Sequence, residues 1–336
     1  MKEEVKAVYS GRFRPFCLSP FAFLLLAGAW LAPIAAPAQS YPTKPIRVLL
    51  PFSTGGTDLV TRWLALKLSP VLGQQVVPEP RTGAGGNIAH EAAAKSPPDG
   101  YTLLMAAPPV VINPNLNPRV GYDPLRDFTP IAHIASIPNL LVVHPSVPAR
   151  SLRELAQLVR SQPGKLAYGS GGVGSTPHLA AELLKSLTKS QIVHVPYKGA
   201  ALGLIGAMSG EVDLVITVVN AVEPYVRNGR MRALAVLDVK RVGSMPGVPT
   251  AAEAGFPQLL AVNWYMLVAP AGTPREIVNR LNAESVKIME SPETGERFAA
   301  IGGDPASGTP AQAAEFLRSE HARWGQVIRE AGIKAE

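Results

Sequence analysis

The chain has 336 residues, nearly half of them apolar, with a net charge of +7 and a single cysteine. That length can bury a sizeable core, in two lobes, and one cysteine excludes an internal disulfide. The basic residues are scattered, with no run of the kind that marks a nucleic-acid surface.

The chain opens on a leader. Lys2, Lys6, Arg12 and Arg14 precede an apolar stretch over 16–31, and Ala36-Pro37-Ala38 then offers a small-x-small cleavage site before Gln39. The stretch is too short and wrongly flanked for a membrane span. Leu26-Ala27-Gly28 is followed by Ala29 rather than cysteine, which argues against a lipid anchor. These residues predict a signal peptide over 1–38, cleaved near Ala38/Gln39, and export. Cleavage removes Cys17 together with four basic and two acidic side chains, leaving 28 basic against 23 acidic, a net +5. An exported chain without a disulfide must be held by its core alone.

From residue 41 onward, short apolar runs alternate with helical patterns, which predicts an α/β fold with mostly parallel sheets flanked by helices. Strands are predicted at 46–52, 75–78, 102–106, 131–134, 140–144, 166–168, 192–196, 214–219, 233–237 and 264–269. Several of these runs are apolar throughout, as strands covered on both faces should be. Caps mark helix starts. Ser151-Leu152-Arg153-Glu154 precedes an apolar face of Leu152, Leu155, Leu158 and Val159, and Thr250-Ala251-Ala252-Glu253 has the same form. Thr176-Pro177, Thr273-Pro274 and Thr309-Pro310 add proline at the first helical position. An internal echo bears on architecture. Leu141-Val142-Val143-His144-Pro145 and Leu267-Val268-Ala269-Pro270 each run from strand through proline toward a helix. They predict two crossings between lobes, one lobe made of 41–143 plus 264–336 and the other of 144–263.

Four glycine-rich turns lie between a strand and a helix: Pro51-Phe52-Ser53-Thr54-Gly55-Gly56-Thr57-Asp58, Thr82-Gly83-Ala84-Gly85-Gly86-Asn87, Gly169-Ser170-Gly171-Gly172-Val173-Gly174-Ser175-Thr176, and Tyr197-Lys198-Gly199-Ala200. Glycine lets backbone approach a ligand closely, and a helix start offers unpaired N–H groups with a partial positive charge. Several such turns on one chain predict a site for a small anion held mainly by backbone. The candidate contacts are Phe52, Ser53, Thr54, Gly55, Gly56, Thr57 and Asp58 of the first turn and Asn87 of the second. Ser170, Gly172, Val173, Gly174, Ser175 and Thr176 of the third turn and Lys198 and Gly199 of the fourth complete them. Asp58 reads either as a helix cap or as an acceptor toward ligand.

Gly169 to Gly174 also fits G-x-G-x-x-G. A dinucleotide site needs an acid at the end of the next strand, where this chain has Lys198-Gly199. No cofactor is predicted. G-x-S-x-G and H-E-x-x-H are absent, so neither a nucleophile elbow nor a metal signature is present. His194, on an apolar strand, reads as a hydrogen-bonded core residue, although a triad assembled only in space would leave no such motif.

Tyr41-Pro42, Lys44-Pro45-Ile46-Arg47, the first two turns, Pro98-Asp99-Gly100-Tyr101-Thr102-Leu103-Leu104, Val193-His194-Val195-Pro196-Tyr197-Lys198-Gly199, Val248-Pro249-Thr250 with Glu253-Ala254-Gly255, and Ala269-Pro270-Ala271-Gly272-Thr273-Pro274 resemble, in order, the substrate-binding proteins of tripartite tricarboxylate transporters, the Bug/TctC family. The resemblance implies a monomeric, two-lobed periplasmic binding protein of type II-like architecture with two hinge crossings, and no catalysis. It implies a small organic carboxylate as ligand and membrane transporter subunits as partners. A protein that presents its ligand to a receptor or kinase ectodomain would use the same closed state, and an exported hydrolase is the remaining alternative. The chain departs from the family pattern at Ser53-Thr54, where two prolines are usual, and in the shorter loop through Ala107 to Pro108-Pro109. It departs again at Val173, where asparagine is common, and at Thr217-Val218, where an acidic or polar pair is frequent. Ala107 and Thr217 join the candidate contacts on this ground. The departures imply a cleft less polar than usual, better suited to a non-amino acid than to aspartate or glutamate.

Overall fold

The structure is a computed structural model that describes residues 41–53 and 55–333. The expected leader with Cys17, and Thr54 of the first turn, lie outside the described residues. Every element below belongs to a unit that begins at Pro42. In chain order the elements are β1 (Ile46–Leu50), α1 (Gly56–Leu72), β2 (Val76–Pro80), a 3-10 turn (Ala84–Gly86), α2 (Asn87–Ala94), β3 (Thr102–Ala106), α3 (Pro109–Leu116) and β4 (Phe128–Val143). Then follow α4 (Leu152–Ser161), β5 (Ala167–Ser170), α5 (Thr176–Thr188), β6 (Val193–Pro196), α6 (Ala200–Ser209), β7 (Leu214–Val218), α7 (Val219–Arg227) and β8 (Arg232–Val236). β9 (Val262–Pro270), α8 (Arg275–Met289), α9 (Pro292–Ala299), β10 (Asp304–Pro305) and α10 (Pro310–Glu330) complete the described chain.

The strands lie in the order β2-β1-β3-β9-β4-β7-β5-β6, with β8 and β10 pairing to β4 off that path. Parallel pairs occupy both ends, where βα units repeat: β1 with β2 and β3, and β5 with β6 and β7. Between them, every pair that β4 and β9 make is antiparallel.

β4 is where the sequence misleads. Two strands are expected, at 131–134 and 140–144, and Pro138-Asn139 falls between them. One strand of 16 residues runs through it. A proline costs a ladder bond only where its N–H would have had a partner, and Pro138 sits where the partner changes. Residues up to Pro138 pair with β9, and those from Asn139 onward pair with β7 and β8. Asn139 is fully buried at this seam. Its Nδ2 donates to the Ala261 carbonyl at 2.8 Å, and its Oδ1 accepts from Asn263 Nδ2 at 3.1 Å.

The helices follow their amphipathic pattern. Leu152, Leu155 and Val159 of α4 are buried and Leu158 packs partly against the same core, each contributing on the order of 1.5–3 kcal/mol of apolar transfer. At the C-terminal helix, Glu320 gathers three partners. Its Oε2 accepts from Trp264 Nε1 at 2.8 Å, Trp324 Nε1 at 3.2 Å and Arg323 Nη2 at 3.0 Å. A carboxylate only 8% exposed is tolerable because each indole and the guanidinium donate to it.

The caps need four corrections. Thr309 forms the expected reciprocal box with Gln312. At Ser151, the serine caps, but Glu154 reaches back to the Arg150 N–H rather than to its own cap residue. The cap of α5 is Ser175, one residue before Thr176. Thr273 donates its hydroxyl to the Pro270 carbonyl and caps nothing. Thr250 and Glu253 bond reciprocally at 2.7 and 3.1 Å, yet the chain beyond them makes only turns, because Gly255 follows at φ 95.

Candidate functional site

The four turns form one continuous chain of contacts. In the first, Gly55 precedes α1 at φ 76 and no side chain caps the helix. Gly56 passes over Tyr265 of β9, and a methyl group there would fall onto the tyrosine ring and hydroxyl. Burial raises the Tyr265 pKa above the usual tyrosine value, so the hydroxyl stays protonated. Phe52 is half-buried and Ser53 is exposed. Thr57 is buried, and its carbonyl accepts from Thr61 Oγ1 at 2.6 Å. Asp58 is not a cap: its two oxygens accept from Arg62 Nε at 2.8 and 2.9 Å, one helical turn onward.

Turn two touches turn one. A methyl group on Gly86 would lie 3.0 Å from Pro51 Cβ and 3.1 Å from His90 Cε1. His90 is fully buried, and burial lowers its pKa to about 3, so the ring is neutral. Its Nδ1 lies 3.1 Å from the Tyr122 hydroxyl, which lies 3.3 Å from Asn87 Oδ1. Asn113 Nδ2 donates to the same Asn87 oxygen at 2.8 Å and to the Gly85 carbonyl at 2.9 Å.

Asn113 also joins turn two to turn three. Gly174, at φ 80, passes so close that a methyl group on it would lie 2.8 Å from Asn113 Oδ1. The Val173 carbonyl lies 3.9 Å from where a Gly85 methyl would stand. Turn three is braced from within. Ser170, 1% exposed, has its hydroxyl 2.7 Å from His194 Nε2 and 3.1 Å from the Gly172 N–H. Ser175 Oγ donates to the Gly172 carbonyl at 2.7 Å and caps α5, whose first residue, Thr176, is buried. Behind the turn, His178 and His194 face each other at 4.5 Å between ring centroids. Burial, then the neighbouring His194, lowers the His178 pKa to about 4. Ser170 and His194 stand at the distance of a nucleophile and base, as Ser146 and His144 do at 2.7 Å, but Ser170 is sealed from solvent.

Turn four packs on turn three. A methyl group on Gly171 would lie 2.9 Å from the Ala200 nitrogen, and one on Gly172 would lie 3.5 Å from the Tyr197 carbonyl. Gly199 precedes α6 at φ 116, and Lys198 is exposed with no ion pair among the described residues. Each turn thus lies at a helix start, where unpaired N–H groups carry a partial positive charge. Ala107 is buried at the entry to α3, where Pro108 and Pro109 stand at positions whose N–H groups would have no helical partner anyway. Thr217 is buried in β7, paired across to Leu140. Two surface cavities of about 910 and 400 Å³ lie elsewhere, one along α1 and β2 and one beside Tyr122 and His321.

Asn113, Tyr122, His90 and Tyr265 are absent from the residues that the turns predict. Asn113 could have been found from Pro108-Pro109, a helix-opening pair that places it one turn in. The alternation Asn113, Asn115, Asn117 reads instead as a loop.

Residues 60–333 match the family model described as tripartite tricarboxylate transporter family receptor, TctC. Protein BugT of Bordetella pertussis is 39% identical over 308 residues, 90% of this chain and 94% of that protein. Among solved structures, Rpa4515 of R. palustris with adipate superposes with a TM-score of 0.82 at 39% identity, covering 88% of this chain and 99% of that one. MatC of Rhodopseudomonas palustris with bound malate gives 0.78 at 31% identity, covering 86% and 100%.

Proposed function

This chain belongs to the TctC family of tripartite tricarboxylate transporter receptors, periplasmic substrate-binding proteins that are not enzymes, and from that premise we propose that it captures a small organic carboxylate between two lobes and hands it to membrane transporter subunits. One observation carries the reading: four helix-opening turns, spread along the chain from Pro51 to Ala200, touch one another in sequence from Pro51–Gly86 through Asn113–Gly174 to Gly171–Ala200. Backbone N–H groups at helix starts suit a carboxylate because charge-assisted hydrogen bonds are the stronger kind. The relatives that hold adipate and malate support the same class.

In this reading the lobes are 41–143 plus 264–336 and 144–263, with the hinge at the seam beside Asn139. The ligand contacts are drawn from Phe52 to Asp58, Asn87, Ala107, Ser170, Gly172 to Thr176, Lys198, Gly199 and Thr217. The mature protein begins near Gln39 and acts as a monomer. A thermal-shift series over dicarboxylic, tricarboxylic and aromatic acids, adipate and malate included, tests it. An acid at about 100 times its Kd should stabilise the fold by roughly 2.7 kcal/mol. Absence of a shift with every acid, or an equal shift with the corresponding amide, would refute it.

A further inference from the structure

The proton positions between turns two and three follow from one fixed point. The Gly85 carbonyl can only accept, so the Asn113 side-chain atom 2.9 Å from it is the amide nitrogen. That same nitrogen lies 2.8 Å from a side-chain atom of Asn87, which must then be the oxygen. The Tyr122 hydroxyl, 3.3 Å from this oxygen, has to donate to it, since the oxygen carries no hydrogen. With its proton so used, Tyr122 accepts from His90, whose Nδ1 at 3.1 Å therefore bears the hydrogen. His90 Nε2 is left a bare acceptor, buried and without a partner.

This relay leaves two groups over. Among the described residues, Asn87 Nδ2 and Asn113 Oδ1 have no hydrogen-bond partner, and neither is a buried orphan, so both reach solvent. We infer that His90, Tyr122 and Asn113 are positioning residues that fix the Asn87 carboxamide with its N–H groups outward, making Asn87 a donor that selects a carboxylate over an amide. The relay does not touch the ligand. It sets which end of Asn87 the ligand meets, and turning that carboxamide over would set Asn87 Nδ2 against Asn113 Nδ2 and the Tyr122 proton. The inference rests on the carboxylate reading proposed above and adds the group that enforces it.

Adipate, adipic acid monoamide and malate are the probes, titrated by calorimetry into the full mature chain. Asn87→Asp keeps an oxygen for Asn113 and Tyr122 but replaces the outward donor with an acceptor. Its melting temperature should stay near that of the parent while adipate or malate binds about ten- to a hundredfold more weakly, the scale of a lost charged hydrogen bond. A change below threefold overturns the inference. Tyr122→Phe should narrow the preference for adipate over its monoamide by a few fold, whereas an equal loss for both would leave Tyr122 a purely structural role and overturn its assignment. A third arm needs no ligand. Nitrogen NMR of the His90 ring should show Nδ1 protonated and Nε2 bare, and the opposite tautomer would break the relay at its first link. If the parent binds neither acid, the carboxylate reading itself fails, and the tautomer result still decides whether the relay exists.

Discussion

Tyr265 fills the space that a side chain on Gly56 would need, with its Cε2 3.2 Å from the place a methyl group would occupy and its hydroxyl closer still. β9 thus sets the height of the first turn, and only glycine fits between them. Gly56→Ala should destabilise the protein by about 1–3 kcal/mol, the usual cost of overpacking, and weaken acid binding with it. Gly295, inside α9 with open space around it and no positive φ, is the matching control. Gly295→Ala should stabilise by about 0.5–1 kcal/mol. Urea denaturation of both variants checks the pair, and equal effects would show that the approach to Tyr265 is not limiting.

Among the described residues, Glu320 is the sole acceptor for two indole N–H groups in the interior. Glu320→Ala should cost about 1–3 kcal/mol for each donor left unpaired, far more than removal of the exposed Glu315, which pairs only with Arg318 at the surface. Thermal melts of the two alanine variants, side by side, measure the difference. A Glu320→Ala protein as stable as Glu315→Ala would show that water replaces the carboxylate.

His90 and His178 give the protein a defined acid sensitivity. Their folded pKa values, about 3 and about 4, lie below the unfolded value near 6.5. The unfolded chain therefore takes up their protons first. Stability from this source is complete above about pH 6.5 and is lost as pH falls toward 4 and then 3, at roughly 1.4 kcal/mol per pH unit for each histidine. Stability measured between pH 7 and 4.5 should fall less steeply in His178→Gln than in the parent. Parallel slopes would assign the acid sensitivity to other groups.

Asp58 spends both carboxylate oxygens on Arg62, so the first turn offers no free acid to an ammonium group. Malate should accordingly bind more tightly than aspartate, and adipate more tightly than its α-amino analogue. Competition calorimetry decides it. Tighter binding of the amino acids would mean that Asp58 leaves Arg62 when ligand arrives.

Much of this was legible in the residues. Alternating apolar runs placed eight of the strands to within a few residues, and the glycine turns between them marked helix starts that touch one another. The long β4 was not legible, because Pro138 signals a break in any local reading, and only the change of partner from β9 to β7 excuses it. Asn113 was hidden for a related reason. Its importance lies in a carbonyl 28 residues earlier and a glycine 61 residues later, and no pattern along the chain encodes that meeting. Asp58 was ambiguous for the opposite reason: a cap and an acceptor toward ligand both fit the local sequence, and the pairing with Arg62 one turn onward was in neither reading.

The seam at Asn139 has a consequence for how the chain reaches this state. Asn139 bonds to residues 122 and 124 positions further on, and Leu104–Ala106 and Phe128–Pro138 both lean on β9. A nascent chain that stops short of Val262 has two open strand edges and no means to close either. Contacts of such sequence separation form slowly, since the intervening loop must be ordered before the pairing rewards it. The polypeptide stays unfinished, and open to whatever engages unfolded chains, until its last quarter has been made.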